Sequence, residues 1–330
     1  MRELCYRQGI AAQPKQGAWR SPNLTRSLLL KLSENAWLRQ HATKSSLLRR
    51  GASRFLPGES LADAIRVCRE LASLQIGAVL TVLGESVKDV TQVDAATRDY
   101  LDALDAIESC GLPAEISVRL TQLGLGLNAD VCFSNLCALL QRSPRDRTLW
   151  IDMEQSAYVE RTLLQFQLAR LAHRHVGVCV QAYLRRTHED VERLIVAGAD
   201  IRLVKGGYRE PAELAFPSKR DVDRNYFELA KRLLSSDARQ RGVRVALATH
   251  NGRLIQRIAE WANFHGVERK DVEFQMLYGI RPAEQRRLAR EGYGAKVLVS
   301  YGSHWFPWFM RRLAERPANV LFLVRNLFSR

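Results

Sequence analysis

Short apolar and β-branched runs recur from residue 78 onward, and the segments between them carry apolar residues at helical spacing. Successive runs start 23 to 43 residues apart, which leaves room for a loop, a helix and a return to the next run. Strands that alternate with helices in this way predict βα units in a parallel sheet. The eight runs begin at Ala78, Glu115, Thr148, Gly177, Ile201, Arg244, Val272 and Ala295.

Eight βα units are the number that closes a (β/α)8 barrel, so the pattern predicts an α/β fold of the TIM type over residues 78–330. An open doubly wound sheet is the alternative. The absence of a GxGxxG motif after the first run weighs against it. Residues 1–77 lie outside the eight units, and their apolar spacing predicts a helical segment with helices over 24–38 and 61–74.

Apolar residues three or four positions apart mark the helix before the first strand and the helix before the fourth. Glycine favours the left-handed position that ends a helix, and Gly198 and Gly242 stand there before the fifth and sixth strands. The marking residues are Leu61, Ile65, Cys68, Leu71 and Leu74 for the first of these helices, and Leu164, Leu168 and Leu171 for the second.

Composition agrees with a globular chain. Hydrophobic residues make up 46% and charged residues 26% of the 330, which excludes a disordered, collagen-like or coiled-coil protein. No apolar run approaches the ~20 residues of a membrane span. The six cysteines form no CxxC pair and the chain has no HExxH motif. We therefore expect reduced thiols in the cytoplasm and no metal site.

The positive charge is concentrated near the start of the chain. The net charge is +15, and residues 1–60 hold 11 basic side chains against 3 acidic ones. A solvated basic face is the simplest explanation. One alternative is peripheral contact of a basic N-terminal segment with an anionic inner membrane. Another is a non-catalytic barrel that binds RNA or an acidic protein, although we do not expect a nucleic-acid partner.

Polar residues stand at or near the ends of six consecutive predicted strands. In a (β/α)8 barrel the carboxyl ends of the strands meet at one face, which carries the active site. Burying so many polar and charged groups costs free energy unless they face a polar or charged ligand. We therefore expect an anionic, hydrogen-bonding ligand at this face. The residues are Arg119, Asp152, Gln181, Arg202, Lys205, Thr249, His250 and Gln275.

Two short motifs sharpen this expectation. Gly206 and Gly207 follow Lys205, so that the backbone can approach a phosphate or a flat ring beside a cation. Arg311 and Arg312 lie in a predicted helix over about 307–315, and guanidinium forks suit carboxylates and phosphates. Glycines in an ordinary turn and arginines on a solvated helix face are the alternatives.

Several blocks of the sequence resemble the proline dehydrogenase family in its monofunctional bacterial form, in the family's order over roughly residues 55–325. The resemblance implies a distorted (β/α)8 barrel with a final helix capping the barrel mouth. It also implies an FAD-dependent enzyme that oxidises L-proline to pyrroline-5-carboxylate and passes the electrons to a quinone. The blocks are LGESV from Leu83, IDMEQSAY from Ile151, VQAYLRRT from Val180, RLVKGGY from Arg202, ATHN from Ala248, EFQMLYGI from Glu273 and FPWFMRRLAERPAN from Phe306.

Carried over residue by residue, the resemblance implies substrate and FAD contacts around a catalytic pair. Arg202 is expected near the reactive flavin nitrogen, with Asp152 in the same charge network. Arg311 and Arg312 are expected to bind the substrate carboxylate. The other substrate-binding positions are Arg119, Leu277, Leu298 and Trp308. The other FAD-binding positions are Met153, Gln181, Lys205, Gly206, Gly207, Thr249 and His250.

Four positions depart from the family's usual residues, and the resemblance assigns all four to the substrate side or its rim. Arg119 stands where lysine is usual, Leu298 and Trp308 where tyrosine is usual, and Gly207 where alanine is usual. Losing two phenol hydroxyls and widening a cation changes both the shape and the hydrogen bonding of a pocket. Two interpretations stay open: a divergent proline dehydrogenase with compensated packing, or a flavin enzyme retuned for another proline-like cyclic amino acid.

Overall fold

The computed structural model describes residues 52–84 and 87–315, and the backbone alone within 311–315. The chain divides into two compact units, residues 46–305 and residues 1–45 with 306–330. The first unit holds the eight-stranded sheet. The predicted helix over 24–38 and the basic segment over residues 1–50 lie outside the described residues. The predicted domain boundary at residue 77 stays a prediction.

Eight parallel strands close into a barrel in sequence order. The first strand pairs with the last from Gly77↔Lys296 to Val82↔Tyr301, and this pairing closes the sheet. The predicted (β/α)8 barrel is therefore confirmed. The strands are β1 (Gly77–Val82), β2 (Ala114–Val118), β3 (Leu149–Ile151), β4 (Val176–Gln181), β5 (Asp200–Val204), β6 (Arg244–Ala248), β7 (Glu273–Leu277) and β8 (Gly294–Tyr301).

Helices connect the strands, and several begin at a side-chain cap. Ser60, Asp89 and Ser218 each accept a hydrogen bond from a backbone amide in the first turn of the helix that follows. Within residues 52–84 and 87–315, none of the helices is both long and apolar enough to cross a membrane. The helices are α1 (Leu61–Ser73), α2 (Val90–Ser109), α3 (Ala129–Arg142), α4 (Val159–Ala172), α5 (Thr187–Val196), α6 (Lys219–Leu233), α7 (Ser236–Gln240), α8 (Gly252–Phe264), α9 (Pro282–Arg290) and α10 (Trp305–Glu315), with 3-10 turns at Ser156–Tyr158 and Arg269–Asp271.

Gly198 illustrates why glycine precedes a strand of the barrel. It follows α5 with a φ of 60°, in the left-handed region that glycine tolerates best. A Cβ at this position would lie 2.4 Å from the carbonyl oxygen of Arg241, so a larger residue would also clash. Gly242, with a φ of 78°, follows α7 in the same way before β6. The predicted helix ends at both glycines are confirmed.

The helix before β4 is present as predicted, but it turns a different face to the barrel. Leu164, Leu168 and Leu171, which mark it in the sequence, are 53%, 41% and 87% exposed. The buried side includes Leu163 and Phe166 instead. Because α4 carries apolar residues around most of its circumference, their spacing predicts a helix but not the side that packs.

An ion-pair network fills the amino-terminal end of the barrel interior, where alternate residues of each strand point inward. Arg244 contacts Glu115 and Glu273 at 2.7 Å each, and Lys296 contacts Glu115 at 2.7 Å. Burial by itself would raise the pKa of Glu115, but Lys296 and Arg244 outweigh burial and lower that pKa to about 2. Glu115 therefore stays ionised at neutral pH.

A small apolar layer lies above this network. It consists of Val79, Trp150 and Ala246, with Leu298 packed against them. The layer separates the ion pairs at one end of the barrel from the polar residues at the carboxyl ends of the strands. Side chains thus fill the barrel interior at these two levels. The residues that could bind a ligand lie at the carboxyl-terminal face.

Candidate active site

Arg202 and Asp152 meet inside the barrel, near the carboxyl ends of β5 and β3. Arg202 is 3% exposed. Its Nη1 atom donates hydrogen bonds to Asp152 Oδ1 at 2.9 Å and to the Ser117 hydroxyl at 2.7 Å. The Ser117 hydroxyl in turn donates to the same Asp152 oxygen at 2.8 Å. The two predicted catalytic residues therefore form one hydrogen-bonded cluster.

Ser117 is the member of this cluster that sequence reasoning missed. It lies in β2, two residues before the predicted site residue Arg119, and residues two apart on a strand face the same side. That alternation is the signal that could have found it. Its hydroxyl accepts from the guanidinium and donates to the carboxylate, so it holds both ions in one orientation.

Two donor atoms of Arg202, Nε and Nη2, are buried without a hydrogen-bond partner among the described residues. Leaving a buried donor unpaired costs roughly 1–3 kcal/mol, and more for a charged group. Gln181, at the end of the adjacent strand β4, has a buried Oε1 atom in the same condition. These atoms indicate that the site offers hydrogen bonds to a ligand with both acceptor and donor groups.

Gln181 and Met153 join the ends of two neighbouring strands. The Gln181 side-chain nitrogen donates to the Met153 carbonyl at 3.2 Å, and both residues are buried. Cys179, on the same side of β4 as Gln181, is paired in register with Arg202. Burial raises the pKa of the Cys179 thiol to about 12, so it stays protonated at neutral pH and is no nucleophile.

The residues after β5 form a loop that closely approaches the end of β4. Gly206 has a φ of 101°, and a Cβ there would lie 2.0 Å from the ring of Tyr183. Only glycine fits at such a position. Lys205 forms an ion pair with Asp223, a residue of α6. Gly207, next in the chain, is exposed.

Asp223 connects the loops after two neighbouring strands. Its second oxygen accepts a hydrogen bond from the side chain of Asn251, after β6, at 3.0 Å. No strand-end pattern points to Asp223, because it lies on a helix, and sequence reasoning missed it. The predicted cation Lys205 is therefore held beside the β6 loop by a carboxylate.

Thr249 and His250 follow β6, and each forms a hydrogen bond with a backbone group of β7. The Thr249 amide donates to the Gln275 carbonyl at 3.2 Å. His250 Nε2 accepts from the Leu277 amide at 2.9 Å, which requires a ring without a proton on Nε2. The His250 side chain thus holds the end of β7, where the predicted substrate residue Leu277 lies.

The remaining predicted substrate residues lie in different surroundings. Arg119 follows β2 and donates from Nη1 to the Gly84 carbonyl at 2.7 Å. Leu298 lies in the apolar layer, deeper in the barrel than the strand ends. Trp308 lies on α10, in the second compact unit. Arg311 and Arg312 also lie on α10, but their side chains are outside the described residues. The place of α10 over the barrel mouth stays a prediction.

A sequence model of the family described as proline dehydrogenase matches residues 64–325. The chain belongs to the proline dehydrogenase family. Proline dehydrogenase 1 of Bacillus subtilis (strain 168) is 35% identical over 308 residues, which are 93% of this chain and 100% of that protein. Proline dehydrogenase of Deinococcus radiodurans is 34% identical over 84% of this chain and 90% of its own length. The predicted membership in the monofunctional bacterial type is confirmed.

Solved structures show the same fold at lower sequence identity. Proline utilization A (PutA) from Bdellovibrio bacteriovorus, inactivated by N-propargylglycine, superposes with a TM-score of 0.77 at 21% identity. The match covers 93% of this chain, which spans 38% of that PutA chain. At this identity the likeness establishes the fold alone, and the chemistry must be argued from the residues.

Proposed function

We propose that this chain is an FAD-dependent dehydrogenase that oxidises L-proline, or a proline-like cyclic amino acid, at its C–N bond. The product is the corresponding imine, which is pyrroline-5-carboxylate for proline. Membership in the family supports the reaction class, and the names of the relatives supply proline as the substrate. The observation that carries the proposal is the buried Arg202, with two donors that the described residues leave unpaired.

The residues at the strand ends fit FAD. The unpaired nitrogens of Arg202 suit acceptor atoms of a flavin ring, and the unpaired oxygen of Gln181 suits a ring N–H. The tight backbone at Gly206, beside Lys205, suits a chain that carries phosphates. Lys205 would then be shared between Asp223 and a phosphate oxygen. Thr249 and His250, on the next loop, would lie toward the adenosine half.

Bound FAD would supply a two-electron acceptor for the single hydride that leaves the substrate carbon, the amine nitrogen would lose a proton, and a quinone or another acceptor would take the two electrons onward. The protein's part is positioning and electrostatics. Arg202 contributes a fixed positive charge in a water-poor interior, where it stabilises negative charge that develops during the reaction. Asp152 and Ser117 fix its orientation through Nη1 and leave the other nitrogens to the ligand.

The substrate carboxylate would be bound by Arg311 and Arg312, with Arg119, Leu277, Leu298 and Trp308 as the other pocket residues. Leucine and tryptophan at the two usual tyrosine positions make this side of the pocket less polar. We therefore propose that a bulkier or less polar proline analogue is turned over better than free L-proline. A divergent proline dehydrogenase with compensated packing is the alternative.

Flavin content tests the cofactor. The purified protein should show flavin absorption bands or acquire them on reconstitution with FAD. A colourless protein that does not take up FAD would contradict the proposal and favour the alternative of a non-catalytic basic barrel that binds RNA or an acidic protein.

A panel of cyclic imino acids tests the substrate. Steady-state kcat/KM should be higher for an alkyl-substituted or larger-ring analogue than for L-proline, and lowest for a hydroxylated proline. The double variant Leu298→Tyr with Trp308→Tyr is the matched control, and it should shift the preference back toward L-proline. Robust turnover of L-proline with poor turnover of every analogue would refute the proposed change in substrate preference. The proposed proline dehydrogenase activity would still stand.

A further inference from the structure

Trp150 lies in the barrel interior with two arginine side chains close to its ring system. The guanidinium carbon of Arg202 is 4.6 Å from the centre of its ring system, and that of Arg244 is 5.1 Å away. The indole nitrogen donates to Glu115 Oε2 at 2.9 Å. The side chain is fully buried. One aromatic ring therefore links the candidate active site to the ion-pair network at the other end of the barrel.

The surrounding barrel makes room for this ring. Gly177, on the adjacent strand β4, has no side chain, and a Cβ there would lie 2.8 Å from the indole. Ala246 and Val79, the other members of the apolar layer, are also small. Any compact set of aliphatic side chains could fill the centre of a barrel, so packing alone does not explain why small residues surround one large aromatic ring.

The ring supplies a restraint that the hydrogen bonds of Arg202 lack. Arg202 donates two hydrogen bonds to side chains in the described part of the chain, and both use the same nitrogen, Nη1. A guanidinium held at one nitrogen can still swing about that point. Contact with a ring face at 4.6 Å restricts this motion, because a cation over a desolvated indole is attracted to the negative face of the ring.

We propose that Trp150 is a positioning residue for Arg202. Its ring face sets the plane of the guanidinium, so that Nε and Nη2 are presented to the ligand, and the Glu115 hydrogen bond fixes the ring. The inference rests on the proposed function, in which these nitrogens face FAD. It assigns the ion-pair network at the amino end of the barrel an indirect part in the redox chemistry, through the contacts of Glu115 and Arg244 with Trp150.

Trp150→Leu removes the ring face and the indole donor together, and Trp150→Phe keeps a ring face but loses the donor. We expect loss of this restraint to have a tenfold effect, which corresponds to about 1.4 kcal/mol. We expect Trp150→Leu to lower kcat about tenfold with an unchanged KM for L-proline. The ratio of affinities for reduced and oxidised FAD should fall about tenfold, which is a potential lower by about 30 mV for a two-electron couple. Trp150→Phe should lie between Trp150→Leu and the wild type.

The experiment uses the full chain reconstituted with FAD. The midpoint potential of the bound flavin, kcat, KM and the melting temperature are measured for each variant. Trp261→Phe is the matched control, since Trp261 lies on α8, stacked on His265 at 4.0 Å, away from the barrel interior. It should keep the wild-type potential and kcat.

Variants with a lower melting temperature but the wild-type potential and kcat would overturn the inference, because Trp150 would then only fill space. If Trp150→Leu does not fold, Trp150→Phe decides by the same criterion. A wild-type chain that takes up no FAD would overturn the proposed function and the inference with it. A wild type that binds FAD, with variants of unchanged potential, would overturn the inference alone.

Discussion

Arg202→Met tests the electrostatic core of the proposed reaction. Methionine keeps much of the volume but removes the charge and both Nη1 hydrogen bonds, to Asp152 and to Ser117. Hydrogen bonds to charged groups contribute about 1.5–3 kcal/mol each. Asp152 keeps its bond from Ser117 and is 19% exposed, which limits the penalty on its unpaired charge. Two such bonds amount to about 3–6 kcal/mol, but the substitution also removes the two buried donors of Arg202 that lack a partner among the described residues, so we expect the free energy of unfolding to fall by about 2–4 kcal/mol.

The effect on catalysis should be larger than the effect on stability. Removing one preorganised group that faces developing charge typically lowers kcat by about 10²- to 10³-fold. Anaerobic stopped-flow measurement of flavin reduction by L-proline isolates this step from later electron transfer to an acceptor. Urea unfolding of the same preparations gives the change in stability.

Arg186→Met is the matched control, because Arg186 forms a comparable pair with the buried Asp190 on α5, at 2.7 Å. It should lose a similar amount of stability and keep the wild-type rate of flavin reduction. If Arg202→Met also reduces its flavin at close to the wild-type rate, the role proposed for Arg202 is wrong.

Three further predictions address the cofactor loop, the ion-pair network and the N-terminal segment. Gly206→Ala should reduce FAD content and lower the free energy of unfolding by about 1–3 kcal/mol, because residue 206 has a φ of 101° and a Cβ there would meet the Tyr183 ring. Gly207→Ala is the control: alanine is the family's usual residue at that position, and this variant should bind FAD normally. The folded-state pKa of Glu115 is about 2 against an ordinary 4.5, so ionised Glu115 stabilises the fold above pH 4.5, and this contribution is lost as the pH falls toward 2. Glu115→Gln should flatten the pH dependence of the unfolding free energy in that window by about 3 kcal/mol, and an unchanged slope in urea titrations would contradict the assignment. If the basic N-terminal segment makes peripheral membrane contact, the whole chain should sediment with anionic vesicles more than a chain lacking residues 1–50 does, and equal sedimentation would exclude that segment as the membrane contact.

The sequence alone was sufficient for the barrel and for the face that carries the candidate site. Strand and helix periodicities are local properties, and eight alternations leave few arrangements other than a closed parallel sheet. The sequence places Asp152 and Gln181 at the carboxyl-terminal face of the barrel, because all strands of a parallel barrel run in the same direction and both residues stand at the end of a predicted strand. The family could be named because whole blocks of residues, such as the one from Ile151, match in order.

Only the tertiary structure decided which side chains meet across the barrel. Ser117, Asp223 and Trp150 gain their significance from residues 18 to 94 positions away, through contacts set by strand register and closure. The spacing of Leu164 with its neighbours predicts the correct helix, yet the side of α4 that packs depends on the neighbouring elements. Periodicity is decided within a few residues of chain, whereas a contact between β3 and β5 exists only after every strand between them has taken its register. For this reason the sequence predicts the scaffold, and the folded barrel determines the geometry of the site.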